Sequence, residues 1–206
     1  MVEIESLEGK GAHQDLVFVT SNPNKFIEVR RILEEYDITF ERLDLRYPEI
    51  QSKSLRQIAS TSANYLYERL KRPLFVEDSG LFIDALKGFP GPYSSYVQAT
   101  IGNLGILKLM EGVQQRVSRF ESVVAYVESV HETHLFMGVA EGSISTEAKG
   151  EKWGFDPIFI PLGSNQTYAE MEIVAKTRIS HRRAAFGRFA EWIRERGQKD
   201  IITPSG

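Results

Sequence analysis

Segments with the pattern of β-strands alternate with segments of helical periodicity along the first part of the chain. Residues 16–20 form a short β-rich apolar run that stops at a polar turn, residues 21–25, after which apolar residues recur at helical spacing. Residues 38–45 predict a second strand and residues 55–70 a second helix. Residues 73–77 then predict a buried strand that ends in acidic residues. Such alternation favours an α/β fold.

Predicted strands cluster in the middle of the chain. Residues 122–130 and 134–140 have the pattern of consecutive strands joined at residues 131–133, and residues 158–160 form a further short strand. Residues 104–110 predict a short helix. A final helix is predicted from an apolar stripe: Phe186, Phe189, Ala190 and Ile193. Together these patterns predict a mixed β-sheet flanked by helices, and 206 residues leave room for one domain or two lobes.

Composition excludes several classes of protein. Hydrophobic residues make up 42% and charged residues 26%, which is ordinary for a globular domain and unlike disordered or collagen-like chains. No apolar run approaches the roughly 18 residues of a membrane helix, and the polar residues 1–14 lack the apolar block of a signal peptide. The absence of cysteine excludes a disulfide scaffold, a thiolate nucleophile and a cysteine-built zinc site. We therefore expect a cytoplasmic protein without membrane contact.

We expect three segments along the chain. Residues 1–15 are predicted to be a flexible N-terminal extension, residues 16–199 a single domain, and residues 200–206 a C-terminal tail. No internal repeat or long linker divides the domain.

Charge is unevenly distributed behind a formal net charge of −3. Residues 176–199 contain eight basic and two acidic residues, or +6, so the remainder of the chain carries −9. A small basic surface on an acidic body suits a compact anionic ligand better than a long polyanion, and we expect no stable nucleic-acid binding. The same basic run is also typical of a solvated helix face.

The first candidate for chemistry is the polar turn between the first strand and the first helix. Thr20, Ser21, Asn22 and Lys25 place hydroxyls, an amide and an ammonium at a helix start, with Asn22 as a possible N-cap and Pro23 in the first turn. Free backbone N–H groups and the positive end of the helix dipole would suit a phosphate. The glycine pattern of a P-loop is missing, and ordinary helix capping would also explain the turn.

The second candidate is a pair of adjacent carboxylates, Glu77 and Asp78, followed by Ser79. Ligand chemistry in α/β proteins is usually at the carboxyl ends of strands, where we predict this pair. Because consecutive strand residues point to opposite faces, one acid should do the chemistry and the other should be structural. Mg²⁺ prefers oxygen ligands, and Glu49 would be a second ligand if it is more than a plain loop acid.

Two later segments have the composition of a nucleobase site. Trp153, Gly154, Phe155 and Asp156 combine aromatic rings for stacking with a carboxylate for hydrogen bonding, although buried packing is the alternative. Lys176 and the run Ser180, His181 and Arg182 precede or begin the last predicted helix, with Ser180 as its N-cap. His181 and Arg182 are donors suited to a purine O6 and N7.

The order and spacing of these segments resemble the signature of the inosine triphosphate pyrophosphatase family. The matching blocks are residues 20–25, 48–49, 76–81, 88–93, 154–157, 167–171 and 180–182. The resemblance covers residues 16–193, nearly the whole chain. It implies an elongated mixed sheet with two lobes and a central nucleotide cleft, dependence on Mg²⁺, and a homodimer. The implied activity is hydrolysis of non-standard purine nucleoside triphosphates (ITP, dITP, XTP) to the monophosphate and pyrophosphate.

The resemblance also implies a role for individual residues. Glu49 and Asp78 match the metal-binding acids, and Asp78 also matches the general base. Thr20, Asn22 and Lys25 match the triphosphate site, and His181 with Arg182 the purine-recognition pair. The full set of implied substrate-binding residues is Thr20, Ser21, Asn22, Lys25, Ser79, Trp153, Gly154, Phe155, Asp156, Lys176, His181 and Arg182.

Two departures from the family pattern leave other functions open. Ser62 and Ser95 stand where many members have lysine, which would weaken triphosphate binding or shift it to other cations. One alternative is a pyrophosphatase for pyrimidine or modified nucleotides, which needs the same phosphate and metal groups. Another is a nucleotide-binding sensor that does not hydrolyse its ligand.

Overall fold

The computed structural model describes residues 16–130 and 132–202, with the side chains of the last helix described as far as Arg196. The described strands are β1 Val17–Val19, β2 Glu41–Leu43, β3 Leu74–Ile83, β4 Pro90–Gly91, β5 Val117–Ser129, β6 Glu132–Ile144 and β7 Phe159–Pro161. The described helices are α1 Pro23–Glu34, α2 Leu55–Leu70, α3 Ser94–Thr100, α4 Gly102–Leu109, α5 Ile173–Ile179 and α6 His181–Ile202. The predicted N-terminal extension and His131 lie outside the described residues, and the predicted tail at 200–206 overlaps the end of α6.

The strands form one mixed sheet in the order β2-β1-β3-β5-β6-β7, with β4 paired to β3. β1 pairs in parallel with β2 and β3, and the other pairings are antiparallel. Parallel pairs need crossover connections, which α1 and α2 provide. The predicted α/β fold with a mixed sheet flanked by helices is confirmed. No described helix is both long and apolar enough to cross a membrane.

Two long strands give the sheet its elongated shape. β5 and β6 have 13 residues each, which corresponds to about 43 Å at the usual rise per residue. Their hairpin passes through both lobes, because one end packs against α2 and α6 while the other end packs near β4, β7 and α4.

In the first lobe, alternate strand residues supply two separate apolar layers. Phe18 and Phe75 stack at 4.7 Å and face α1 and α6. Their strand neighbours Val19 and Val76 point to the other face and pack against α2. This alternation with period two is what a sheet covered by helices on both faces requires.

The second lobe has its own core at the far ends of β3, β5 and β6. Leu81, Phe120 and Ile144 pack there against Phe159 of β7 and against Tyr168 in the loop before α5. The half-buried side chain of Arg116 donates to the backbone carbonyls of Met110 at the end of α4 and of Ile144 and Ser145 at the end of β6. These bonds fix two chain segments that would otherwise have unpaired acceptors.

Several predicted element boundaries were wrong. β3 does not end at the acidic pair but continues to Ile83, because Ser79 and Gly80 pair with β5. The pairing at Gly80 needs a residue without Cβ, since a Cβ there would lie 2.2 Å from the Gly91 carbonyl oxygen of β4. The strand predicted at 38–45 is only Glu41–Leu43, an edge strand paired on one side.

Two helices, α3 and α5, were missing from the sequence prediction. Each has seven residues and one buried side chain, Val97 in α3 and Lys176 in α5, and no side chain caps either start. Elements this short have no apolar stripe that would predict a helix.

Candidate active site

A cleft of about 1140 Å³ lies between the two lobes. All of the predicted site residues except Lys176 line it: Thr20, Ser21, Asn22, Lys25, Glu49, Asp78, Ser79, Trp153, Gly154, Phe155, Asp156, His181 and Arg182. The size suits a nucleotide-sized ligand. Residues that are far apart in the sequence are therefore brought together at one surface.

The start of α1 forms the cationic end of the cleft. Asn22 is the N-cap, and its Oδ1 accepts hydrogen bonds from the N–H groups of Asn24 and Lys25 at 2.9 and 3.1 Å. The cap was predicted, but the expectation that these N–H groups are free for a ligand was wrong, because the cap occupies them. The helix dipole and the ammonium of Lys25 remain as sources of positive potential.

Glu77 lines the cleft and forms ion pairs with two cations. Its carboxylate lies 2.9 Å from Lys25 Nζ and 3.3 Å from Arg182 Nε, and accepts a hydrogen bond from Ser122 at 2.7 Å. Burial raises the pKa of Glu77, but the charges of Arg182 and Lys25 and the hydrogen bonds outweigh it and hold the pKa well below its usual range. Glu77 is therefore an ionised structural carboxylate.

Asp78 has the opposite electrostatic environment. Burial raises its pKa to about 7, and the nearby charges of Glu77 and Glu49 add to the rise, while Lys25 and the N–H of Ser79 oppose it. A carboxylate that titrates near neutral pH is suited to accept a proton. The prediction that the two adjacent acids divide into a reactive and a structural one agrees with these surroundings, although the role of Asp78 stays a prediction.

Glu49 and Asp78 fit a hard divalent cation. Both line the cleft and both offer carboxylate oxygens, and the pKa of Asp78 is raised first by burial and then by the charges of Glu77 and Glu49, a concentration of negative charge that a cation would stabilise. Burial raises the pKa of the Tyr47 phenol, and the charge of Glu49 and a hydrogen bond to it add to the rise. The phenol therefore stays protonated and holds the Glu49 carboxylate.

A separate acidic group lies at the other end of the β5–β6 hairpin. Glu128, Glu132 and His134 have possible ligand atoms within 4.8 Å of one another. Glu128 is already ion-paired with Arg196 and accepts a hydrogen bond from Tyr126. This group was not predicted and does not line the cleft.

The opposite end of the cleft is aromatic. The ring of Trp153 lies 5.1 Å from the guanidinium carbon of Arg182. Phe155 is buried in the second-lobe core and presents only part of its surface, so the alternative of buried packing applies to it. The half-buried Trp153 is the better placed of the two for stacking on a ligand.

Glu28 is a site residue that the sequence analysis missed. Its carboxylate accepts from Arg182 and from Lys176, both at 2.8 Å, and Lys176 also contacts Asp156 at 2.5 Å. The signal was present, because Glu28 follows Lys25 by three residues and so shares its helix face.

Six charges thus alternate in sign in a network that supports one wall of the cleft, with Glu28 and Lys176 behind the lining residues. Their order is Lys25, Glu77, Arg182, Glu28, Lys176 and Asp156. Three cations and three carboxylates cancel, which explains how the wall can be buried. The basic segment predicted from the sequence is therefore in part an internal ion-pair network rather than an open basic surface.

The two departures from the family pattern differ in position. Ser62 is buried in α2 and does not line the cleft, whereas Ser95 is exposed and lines it. Lys176 is buried behind Asp156, outside the cleft lining, so its predicted contact with substrate stays a prediction.

The start of α6 fixes the last two site residues. Ser180 caps it, since its hydroxyl accepts from the N–H of Arg183 at 3.1 Å, as predicted. Arg182 donates to Ser79 at 2.8 Å across the cleft wall. His181 is buried, and burial, with the charge of Arg182, holds its pKa well below 6.5, so the imidazole is neutral.

Glu28 gives a testable pH dependence of stability. Burial raises the pKa of Glu28, but the charges and hydrogen bonds of Arg182 and Lys176 outweigh burial. The net effect is a fall in the pKa from 4.5 to about 2. Because the folded-state pKa is depressed, the ionised group stabilises the fold above pH 4.5 by roughly 3 kcal/mol, and this is lost as pH falls toward 2. We expect Glu28→Gln to lower the Tm at pH 7 and the difference from wild type to shrink at pH 3.

The matched control for this pH series is Glu34→Gln on the same helix. Glu34 is exposed and pairs loosely with Arg30 at 3.5 Å, so its removal should change the Tm little at any pH. Equal effects of the two substitutions at pH 7 would contradict the stabilising role of Glu28.

The assembled cleft has a cationic helix start, a carboxylate pair and an aromatic wall with an arginine. This arrangement defines an α/β protein built to bind a nucleotide. The chain belongs to the Ham1 family, whose profile matches residues 16–192. The family resemblance seen in the sequence motifs is confirmed.

Similar proteins cover nearly the whole domain. A dITP/XTP pyrophosphatase of Methanopyrus kandleri is 52% identical over 178 residues, which is 86% of this chain and 95% of that protein. A dITP/XTP pyrophosphatase of Thermococcus kodakarensis is 49% identical over 181 residues, with 87% and 97% covered. The solved structure of a HAM1 protein from Coxiella burnetii has a TM-score of 0.79 and 26% identity, covering 89% of this chain and all of that one.

Proposed function

We propose that this protein hydrolyses non-standard purine nucleoside triphosphates (ITP, dITP and XTP) to the monophosphate and pyrophosphate. The relatives from M. kandleri and T. kodakarensis, named dITP/XTP pyrophosphatases, support the substrate class. The observation that carries the proposal is the division of labour between Glu77 and Asp78. Glu77 is neutralised by Lys25 and Arg182, while Asp78 accepts a backbone hydrogen bond from Ser79 and titrates near pH 7.

The proposed reaction is attack of water on the α-phosphorus. Asp78 orients the water and accepts its proton on a carboxylate oxygen as the new P–O bond forms and the bond to the β-phosphate oxygen breaks. Lys25 and the α1 dipole stabilise the charge that develops on the departing pyrophosphate. Catalysis is then mainly positioning and electrostatics.

We propose Mg²⁺ as the cofactor, held by Glu49 and Asp78. When bound there, the ion supplies charge neutralisation on the phosphate oxygens and a lower pKa for a nearby water. Tyr47 supports this assignment, because its hydrogen bond keeps the Glu49 carboxylate oriented.

Base selection is proposed to depend on His181 and Arg182. Donors at these side chains pair with the 6-oxo group of hypoxanthine or xanthine, and face an N–H group when adenine enters. A buried donor without a partner costs about 1 to 3 kcal/mol, which corresponds to one or two decades of discrimination. The ion pairs of Arg182 with Glu28 and Glu77 keep its guanidinium in one orientation.

The decisive measurement is pyrophosphate release with Mg²⁺ from a panel of nucleoside triphosphates. We expect kcat/KM for ITP, dITP and XTP to be at least tenfold higher than for ATP. The reason is that bound adenine would leave at least one buried donor of the protein without a partner. Preferential release from CTP or UTP would instead support a pyrimidine pyrophosphatase. Tight ITP binding without any release would support a sensor.

Three further expectations accompany this proposal. A homodimer is supported by three exposed apolar side chains: Tyr96 of α3, Leu104 of α4 and Ile101 between the two helices are 70%, 77% and 45% exposed. Sedimentation velocity would detect it as twice the monomer mass of 23.4 kDa. The cytoplasmic location and the absence of stable nucleic-acid binding stay predictions from composition.

A further inference from the structure

Phe120 lies directly against the ring of His181. The two ring centroids are 4.6 Å apart and the planes differ by only 13°, which is a parallel stack. Phe120 is 8% exposed and lines the cleft. It belongs to β5, opposite Leu81 of β3 and Ala140 of β6, on the sheet face that carries the start of α6.

Among the residues that the structure describes, none is hydrogen-bonded to a ring nitrogen of His181. Within the described part of the chain, Nδ1 is buried and has no hydrogen-bond partner. Functional histidines are usually oriented by a hydrogen bond to the second ring nitrogen, which sets both the ring plane and the tautomer. The orientation of the His181 ring must therefore come from packing. The stack on Phe120 is the contact that defines the plane of the imidazole.

The ring of Phe120 is packed against two further aromatic side chains of the second-lobe core. Its ring lies 4.7 Å from Phe159 and 6.1 Å from Tyr168, and both of these side chains are fully buried. Tyr168 also donates its hydroxyl to the carbonyl of Ile179, two residues before His181. The same aromatic group therefore supports the ring of His181 and the backbone that leads to it.

We propose that Phe120 is a positioning residue for base selection: by fixing the ring plane of His181, it directs the imidazole edge toward the 6-position of the purine. This inference rests on the proposed function. Hydrogen bonds weaken steeply as the donor angle falls toward 120°. A tilted imidazole would thus lose the 6-oxo contact, whereas the phosphate and metal groups, which do not touch Phe120, would be unaffected.

The test is Phe120→Leu, which keeps apolar volume and removes the ring. We expect the ratio of kcat/KM for ITP over ATP to fall about tenfold, the value of one hydrogen bond. Most of the change should come from a lower kcat/KM for ITP, because adenine has no 6-oxo group to make that contact. Phe120→Tyr keeps the ring and should retain most of the wild-type ratio.

The control is Ile106→Ala. Ile106 of α4 is fully buried in the same second-lobe core, does not line the cleft and is not one of the rings that hold Phe120. Because the substitution leaves a cavity in this core, we expect it to lower the Tm at least as much as Phe120→Leu while leaving the ITP-over-ATP ratio within twofold of wild type. If Phe120→Leu does not fold, Phe120→Met serves in its place, since it also removes the ring at similar volume.

Two results would overturn the positioning role. One is an unchanged ITP-over-ATP ratio in the folded Leu or Met variant. The other is an equal fall in the ratio for Ile106→Ala, which would indicate general loosening of the core. If the wild-type protein released no pyrophosphate from ITP, the proposed function would fall and this inference with it. An active wild type with an insensitive ratio would remove only the role of Phe120.

Discussion

Asp78→Asn is expected to abolish nearly all pyrophosphate release while making the protein more stable. Loss of a general base costs about 10²–10⁴-fold, and Asp78 is also the proposed metal ligand, so we expect at least a thousandfold fall in kcat. The stability effect has the opposite sign. Burial raises the pKa of Asp78 to about 7 from 3.8, so ionisation above pH 7 disfavours the folded state, and neutral asparagine removes that cost.

The two effects are measured on the same sample. Pyrophosphate release from ITP is followed with Mg²⁺ at pH 8, and the Tm is recorded at pH 8 with EDTA, where the wild-type carboxylate is ionised. Asp84→Asn is the control, because Asp84 follows the same strand but is exposed, pairs with Arg119 and does not line the cleft. Turnover of ITP at the parent rate by Asp78→Asn would show that the base and metal assignments are wrong.

Gly138→Ala is the second substitution from which we expect a large effect, although Gly138 touches no ligand. A Cβ at this position of β6 would lie 2.2 Å from the carbonyl oxygen of His181 and 2.3 Å from the backbone nitrogen of Ala185. Both atoms belong to backbone, so α6 must move away from the sheet. We expect a loss of about 1–3 kcal/mol in stability from overpacking. We also expect about a hundredfold loss in kcat/KM for ITP, because an ångström-scale displacement of site residues is this costly.

Gly187→Ala, in helix α6 itself, is the comparison for Gly138→Ala. The nearest atom to a Cβ there is the hydroxyl of Tyr36 at 3.2 Å, the end of a side chain that can shift. Alanine also favours helix over glycine by up to about 1 kcal/mol. We expect unchanged or slightly higher Tm and unchanged kcat/KM, and a harmless Gly138→Ala would contradict the close seating of α6 on β6.

Much of the site could be predicted because its residues lie where local patterns change. Asn22 marks a helix start and Ser180 marks another, and both caps form as predicted. The acidic pair in β3 could be divided into two roles from strand alternation alone, since side chains at successive positions face opposite sides. The order of the motifs predicted which segments form a base-binding end, because spacing among several short blocks is more specific than any single block, and that assignment stays a prediction.

Other features could not be predicted because they depend on contacts between distant segments. The partners of Glu28 are 148 and 154 residues away along the chain. The full length of β3 depends on its pairing with β5, and the need for glycine at position 80 depends on a carbonyl of β4. The stack of Phe120 on His181 joins a strand to a helix start. No periodicity within either segment encodes such contacts.

The continuous β5–β6 hairpin limits how the two lobes can move. β3 and β5 pair without interruption from Leu74 to Ile83, so the ladder passes beneath the cleft and joins one lobe to the other. A hinge at this point would have to break several ladder hydrogen bonds at once. The sheet therefore resists rotation of one lobe against the other, and the two walls of the cleft share one rigid support.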